Sequence, residues 1–180
     1  MAVSIRLERI VVPDAAQLNA VLAVASQAPN YWLLSEGKGM PGRDAVAAWF
    51  DGRQLPPGKS IGDQQIYGIH LDDPDQTLIG IVMVLRGWPY PEQASIGLLL
   101  LAESWQGKGL GRLAYLEVEA LAQRWPRIET MRIGVVASNE PAFPFWRRLG
   151  FRETGERRRD AGFLADTVVL EKPLHTPAVL

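Results

Sequence analysis

The chain has 180 residues, 47% hydrophobic and 22% charged, enough for one domain with a sizeable buried core and ordinary for a soluble globular protein. A formal net charge of −1 gives no electrostatic argument for a nucleic-acid or anionic-membrane partner. With no cysteine, disulfides, thiolate metal sites and a cysteine acyl-enzyme are all excluded.

From Met1 to Val12, Arg6, Glu8 and Arg9 interrupt the apolar residues, and neither an h-region nor a cleavage pattern is present. No apolar run approaches the ~20 residues that cross a bilayer, so cytoplasmic residence is expected. Ile5, Leu7 and Ile10 to Val12 predict a first strand, closed by Pro13 and Asp14, and Asp14 can cap the helix that follows. Leu18, Val21, Leu22 and Ala25 keep helical spacing from Ala15 to Ala25, and Pro29 with Asn30 ends that segment. Tyr31 to Leu34 then lead into a flexible stretch holding Gly37, Gly39, Pro41 and Gly42, before a short helix from Asp44 to Phe50 that bears Trp49. The stretch from Asp51 to Gly62, with Pro56, Pro57 and Gly58, reads as a loop. Gln65 to Leu71 and Thr77 to Arg86 are β-rich runs around Asp72, Asp73, Pro74 and Asp75, which predicts an antiparallel hairpin. His70 in the first of them suits a structural role better than a base, and His175 lies in the tail, so paired-histidine metal chemistry has no support and no metal is expected. Gly87 to Gln93 forms the next turn, and Ala94 to Ala102 the third strand.

The apolar run from Ile96 to Ala102 passes abruptly into Gln106, Gly107, Lys108, Gly109, Leu110, Gly111 and Arg112. A run of that length suits a strand covered on both faces, though periodicity alone does not exclude a buried helix. Leu110, Leu113, Ala114, Val118, Leu121 and Trp125 then recur at three- and four-residue steps, predicting a helix from Gly109 to Arg124 that Pro126 ends. A strand, a turn with three glycines and a helix start leave several N–H groups without intrahelical partners and no Cβ to hold a ligand off. The helix dipole favours a phosphate or pyrophosphate there, with Lys108 and Arg112 adding charge at the rim, whereas a plain tight turn is the structural alternative. The dinucleotide fingerprint fails where Arg112 stands in place of a third glycine or alanine, and a P-loop lacks its Gly-Lys-Ser/Thr.

Thr130 to Ala137 reads as another strand, leading into Asn139, Pro141, Ala142, Pro144, Phe145, Trp146, Gly150 and Phe151. Pro144 deletes one helical hydrogen bond, so a regular helix is expected to start at or just before it, and Gly150 supplies a left-handed cap. Phe151 to Arg159 and Gly162 to Lys172 can pair as a final hairpin, with Arg157, Arg158, Arg159 and Asp160 at a solvated tip. One domain over residues 1–172 and a tail over 173–180 follow, with no internal repeat.

These two stretches resemble the GNAT superfamily of acetyl-coenzyme A dependent N-acetyltransferases. Gln106, Gly109 and Gly111 match its Gln/Arg-x-x-Gly-x-Gly/Ala signature, and Asn139, Ala142, Phe145, Trp146, Gly150 and Phe151 its second motif. The resemblance implies a mixed α/β fold, a single domain with a twisted, largely antiparallel sheet flanked by helices, in which the third strand of the meander and the strand from Thr130 splay apart. It implies acetyl-coenzyme A as acyl donor, held by Leu99, Leu100, Leu101, Gln106 to Arg112, Asn139, Ala142, Phe145 and Trp146, and direct attack by a primary amine of a small molecule or protein in a ternary complex. Main-chain N–H groups near Leu100 and Leu101 would face the carbonyl oxygen, and Asn139 would cap the last helix and bond the pantetheine arm. The first helices would wall the acceptor site, which puts Tyr31, Trp32 and Trp49, with Tyr67 and Trp88, either in that pocket or in the core. Glu103 is the nearest carboxylate for a base, with Glu92 in reserve. Trp146 stands where many members place a tyrosine acid, and an indole is no proton source near neutral pH. Of Tyr31, Tyr67, Tyr90 and Tyr115, either one moves in or solvent protonates the thiolate, and solvent is favoured. Homodimerisation is common in the family. A non-catalytic acyl-coenzyme A binding or sensing module is the alternative.

Overall fold

In the computed structural model, which describes residues 3–174, Asp14 forms the cap expected of it. Its Oδ1 accepts the Gln17 N–H at 2.8 Å while Gln17 Oε1 accepts the Asp14 N–H at 3.2 Å, a reciprocal capping box. That box starts α1 (Ala15–Ser26) after strand β1 (Ile5–Ile10). The strand is shorter than its apolar run, because the chain turns toward the cap at Val11 and Val12, which are left exposed.

The next segment corrects the sequence reading. Pro29 ends α1 but also opens α2 (Pro29–Glu36), standing at the first helical position, where a missing N–H leaves no bond unmade. The flexible connection thus begins only after Gly37, whose φ of 72° provides the left-handed exit. A single turn, α3 (Arg43–Ala47), follows.

The sheet is built from β1, β2 (Gln64–Leu71), β3 (Leu78–Arg86), β4 (Gln93–Leu101), β5 (Thr130–Val136), β6 (Arg152–Arg158) and β7 (Thr167–Pro173) in the order β1-β2-β3-β4-β5-β7-β6. Every neighbour pairs antiparallel except β4 and β5, which run parallel. The mixed, largely antiparallel sheet expected from the family motifs is therefore present. Helix α4 (Leu110–Ala122) and α5 (Ala142–Arg148) cover one face, and α1 to α3 cover part of the other.

One extra residue opens the sheet. Met83 pairs with Leu98 but Val84 with Ile96, so Gly97 is a bulge in β4. Before it Ala94 and Ile96 pack under α4; after it Leu98 and Leu100 pack under α1 and α3 instead. The ladder to β5 runs only from Gln93 and Thr130 to Ile96 and Ile133, ending at the bulge. Beyond it the two strands diverge.

Pro144 sits in the first turn of α5, two residues after its start, where its missing N–H again costs nothing. At the other end Gly150, at φ 98°, donates to Arg147 O at 3.0 Å and Phe151 to Trp146 O at 3.1 Å, with the Phe151 and Trp146 rings in edge contact. This is a complete Schellman ending. The last strand reaches Pro173, and Leu174 is buried with its N–H on Glu129 O at 2.7 Å, so ordered packing passes the expected boundary at residue 172. His175 and the rest of the expected tail lie outside the described residues. Among the described residues no helix is long and apolar enough to cross a membrane.

Candidate active site

The divergence of β4 and β5 leaves a cavity of about 900 Å³ at the middle of the sheet. One end of it is the glycine turn. After β4 the chain makes a short 3-10 turn (Glu103–Trp105), and the Gln106 side chain ties back to Leu101 O at 2.8 Å. Gly107 and Gly109 take φ of 72° and 80°, conformations that cost any other L-residue roughly 1–2 kcal/mol. A Cβ at either would meet nothing within 4 Å, so both face open space.

The first intrahelical bond of α4 is from Leu113 N–H to Gly109 O at 3.2 Å. Among the described residues, the amides of Gly107, Lys108, Gly109, Leu110, Gly111 and Arg112 donate to no protein group. Six consecutive donors at a helix N-terminus, with its partial positive charge, form a cradle for an anion. Gly111 serves packing instead. A Cβ there would lie 3.3 Å from Phe145, so its bareness lets α4 approach α5.

Leu99, Leu100, Leu101, Gln106, Gly107, Gly109, Gly111 and Arg112 line the cavity on the β4 and α4 side, and Asn139, Ala142, Phe145 and Trp146 on the other. Two residues of the expected set face elsewhere. Leu110 is core, 2% exposed, and the Lys108 ammonium lies over the Trp105 ring at 4.6 Å. Asn139 is on the wall but does not cap α5, whose N-cap is Pro141; its carbonyl accepts the Ala142 N–H at 3.1 Å. Trp146 belongs to wall and core alike, its ring centroid 6.0 Å from Tyr115, 4.9 Å from Phe145 and 5.2 Å from Phe151.

Of the aromatics expected around the acceptor, Tyr31 and Trp88 are on the wall. Trp32 and Trp49 stack at 6.2 Å in the core beneath α1, with Trp32 Nε1 on Ala25 O at 2.8 Å; Tyr67 is buried in the opposite core. Their apolar bulk is absorbed by packing, and none of the three reaches the cavity. Glu103 also departs from expectation. Its Oε1 accepts the Asn30 N–H at 2.8 Å and its own N–H donates to Gln27 O at 2.9 Å, so the carboxylate caps α2 rather than facing the cavity. The reserve, Glu92, pairs with Arg127 at 3.6 Å, and His70 Nδ1 meets Gln76 O at 2.7 Å at a hairpin turn. Neither is on the wall.

Tyr31 lies half-buried on α2, and burial, with Glu36 nearby, pushes its phenol up to about 12. Tyr115 is raised further by burial and then by the Glu119 carboxylate. Both stay protonated at neutral pH. The folded state holds these protons more tightly than the unfolded chain, so the contribution of the two phenols to stability is constant below the ordinary phenol value of about 10 and falls above it. Urea midpoints should therefore drop between about pH 10 and pH 12. Tyr31→Phe should reduce that drop without abolishing it, because Tyr115 still contributes.

The sequence reading missed the polar end of the cavity: Ser35, Ser95, Arg132, Arg158, Asp160 and Thr167. Arg158 ends β6 and Asp160 lies in the connection to β7, at the hairpin tip expected of them, but both also sit on the cavity wall. Arg132, 5% exposed, is neutralised by Glu171 at 2.7 Å and by both oxygens of Glu156 at 2.7 Å.

Comparison with known proteins defines the class. The acetyltransferase (GNAT) family model matches residues 41–151, and the molecule is thus an acyltransferase. The chain belongs to the GNAT acetyltransferase family. Its fold is similar to an acetyltransferase from Thermus thermophilus, at 22% identity over 96% of this chain and 99% of that one, TM-score 0.72. It is also similar to the spermidine N-acetyltransferase of Vibrio cholerae in complex with CoA and spermine, at 15% identity, 96% of each chain and TM-score 0.66. A third likeness is to the ribosomal-protein-S18-alanine N-acetyltransferase of Escherichia coli, at 16% identity, 98% and 99% coverage and TM-score 0.61. No curated protein matches the chain. The family uses acetyl-coenzyme A, and the unpartnered amides fit the charge of its diphosphate.

Proposed function

We propose that the protein transfers an acetyl group from acetyl-coenzyme A to a primary amine of a small molecule or peptide, by direct attack within a ternary complex. The observation that carries this reading is the row of six unpartnered amides from Gly107 to Arg112, in a turn whose Gly107, Gly109, Gly111 and Arg112 line the same cavity as the stretch of β4 that β5 has left. The amides would hold the diphosphate and Arg112 would add charge beside it. The main chain of Leu99 to Leu101 would line the thioester and donate to its carbonyl oxygen, whose charge grows in the transition state. Asn139, Ala142, Phe145 and Trp146 would bound the pantetheine from the opposite side.

The bound donor supplies an activated acetyl thioester, and its C–S bond breaks as the amine's C–N bond forms. The acceptor nitrogen must be neutral to attack. Asp160 is the one carboxylate among the described lining residues, and it is paired with Arg158 at 3.3 Å. The ammonium proton therefore goes to water, and the leaving thiolate takes one from solvent, since the Trp146 indole is no acid at neutral pH and burial raises the phenols of Tyr31, on the wall, and Tyr115, in the core, well above their ordinary value.

With Glu103 acting only as a cap, Glu103→Ala should cost about 1 kcal/mol in urea denaturation and leave kcat/KM within a few-fold. A loss of about 100-fold or more with a flattened pH profile would instead make it the base. The whole reading is tested by isothermal titration with coenzyme A and by thiol release against amines, polyamines, amino acids and peptide N-termini. Trp146 in the usual tyrosine position favours a second reading, an acyl-coenzyme A sensor, which predicts tight binding and no turnover on any amine. Absence of coenzyme A binding would overturn both.

A further inference from the structure

The polar end of the cavity depends on a missing side chain. Gly134 lies in the middle of β5 yet is exposed, because β4 has diverged from it. A Cβ there would stand 2.6 Å from Thr167 Cγ2 and 3.4 Å from Arg158 Nη2. Bareness at Gly134 is what allows Thr167 and the Arg158 guanidinium to lean across β5 into the cavity. Thr167 pairs with Val136 on one side and with Arg158 on the other, so the three residues come together only through the β5-β7-β6 strand order.

These groups are not used up within the protein. Thr167 is 3% exposed, and its Oγ1 has no partner among the described residues; neither has the buried Nε of Arg158. Arg158 keeps one contact, Nη2 to Asp160 at 3.3 Å, which leaves its Nε–H without a partner. A buried hydroxyl and a guanidinium edge left unpaired are costly unless a ligand satisfies them. The described lining carries four guanidinium groups, Arg112, Arg132, Arg148 and Arg158, against one carboxylate, Asp160. Arg132 is already neutralised by Glu156 and Glu171. With Arg112 assigned to the coenzyme's diphosphate and Asp160 beside Arg158, the selective groups at this end are the unpartnered Arg158 Nε–H and Thr167 hydroxyl, donors that suit an oxyanion.

Resting on the acetyl-transfer reading, we propose that the acceptor is a small amine carrying its own carboxylate or comparable oxyanion, and that Arg158 and Thr167 are the residues that select it. The loop between β6 and β7 closes this end by docking on α2, Leu164 N–H donating to Ser35 O at 2.8 Å. The acceptor's anion would sit beside this docked loop.

The test is kcat/KM for matched amino acids, their carboxamides and aminophosphonates, with spermidine as the polycation, on the wild-type chain and on R158Q, R158K and T167V. The wild type should prefer the carboxylate or phosphonate member over the carboxamide by at least about tenfold, and which of the two leads identifies the oxyanion. R158Q should erase the preference through KM with coenzyme A affinity unchanged, R158K should restore part of it, and T167V should show a smaller loss. A second readout needs no turnover: quenching of tryptophan fluorescence by N-acetyl amino acids against their amides. Binding that needs the carboxylate and Arg158, without acetylation of any amine, would support the anion site while defeating acetyl transfer. Turnover with no carboxylate preference, a preference for spermidine, or a preference that survives in R158Q would overturn the inference and leave acetyl transfer standing.

Discussion

Gly109→Val should raise the dissociation constant for coenzyme A by about 100-fold or more, the largest effect on ligand binding expected of a single substitution in this chain. Two causes add. The residue holds φ at 80°, so valine there strains the backbone by roughly 1–2 kcal/mol, and relief of that strain turns the neighbouring amides away from their common focus. Its side chain would also fill the open space that the cradle faces. The strain has an internal control. Gly58 also sits at φ 80°, and a Cβ there would meet nothing within 4 Å, but it lies in a loop far along the chain from the cradle. Gly58→Val should cost similar stability and leave coenzyme A affinity as it was. Equal affinity for the two variants by isothermal titration would mean that the amides from Gly107 to Arg112 do not hold the ligand.

Trp146→Ala should be the most destabilising change, about 3–5 kcal/mol in urea denaturation. The ring is 5% exposed and touches Tyr115, Phe145 and Phe151, so its removal empties the joint between α4, α5 and the sheet. Trp146→Tyr separates that packing role from a chemical one. It restores the residue many family members carry, at a smaller volume loss. A positioned general acid is worth about 100-fold or more, so a reaction limited by thiolate protonation would accelerate by that order. With solvent already serving, kcat should change by less than about threefold. A large gain in Trp146→Tyr would show that the native tryptophan withholds a needed proton.

The glycine cradle was legible because its determinants are local. Ile96 to Arg112 carries strand, turn and helix in one span, and neither φ at Gly107 and Gly109 nor the empty amides needs a distant residue to explain it. Pro29 misled for an equally local reason: proline ends one helix and starts another with the same chemistry, and only the Glu103 carboxylate, which bonds Asn30 from 73 positions away, marks α2 as a helix that is capped. The face change at Gly97 was hidden because every other residue from Ile96 to Leu101 is apolar, so no alternation records which side each one takes. Trp32, Trp49 and Tyr67 could not be sorted from Tyr31 and Trp88 by type, since core and pocket call on the same side chains. Arg158, Thr167 and Gly134 were out of reach altogether. Their meeting requires β7 to lie between β5 and β6, and nothing near any of the three encodes that order.

Both margins of the sheet are charged. β1 offers Arg6, Glu8 and Arg9, and β6 offers Arg152, Glu153, Glu156 and Arg157 around an irregularity at Gly155. Annexing a strand from another molecule would strip water from those charges and force the kinked rim straight. The molecule can therefore carry a sheet split open at its centre without offering its outer borders as templates for fibrous growth, and concentrated solutions should stay clear.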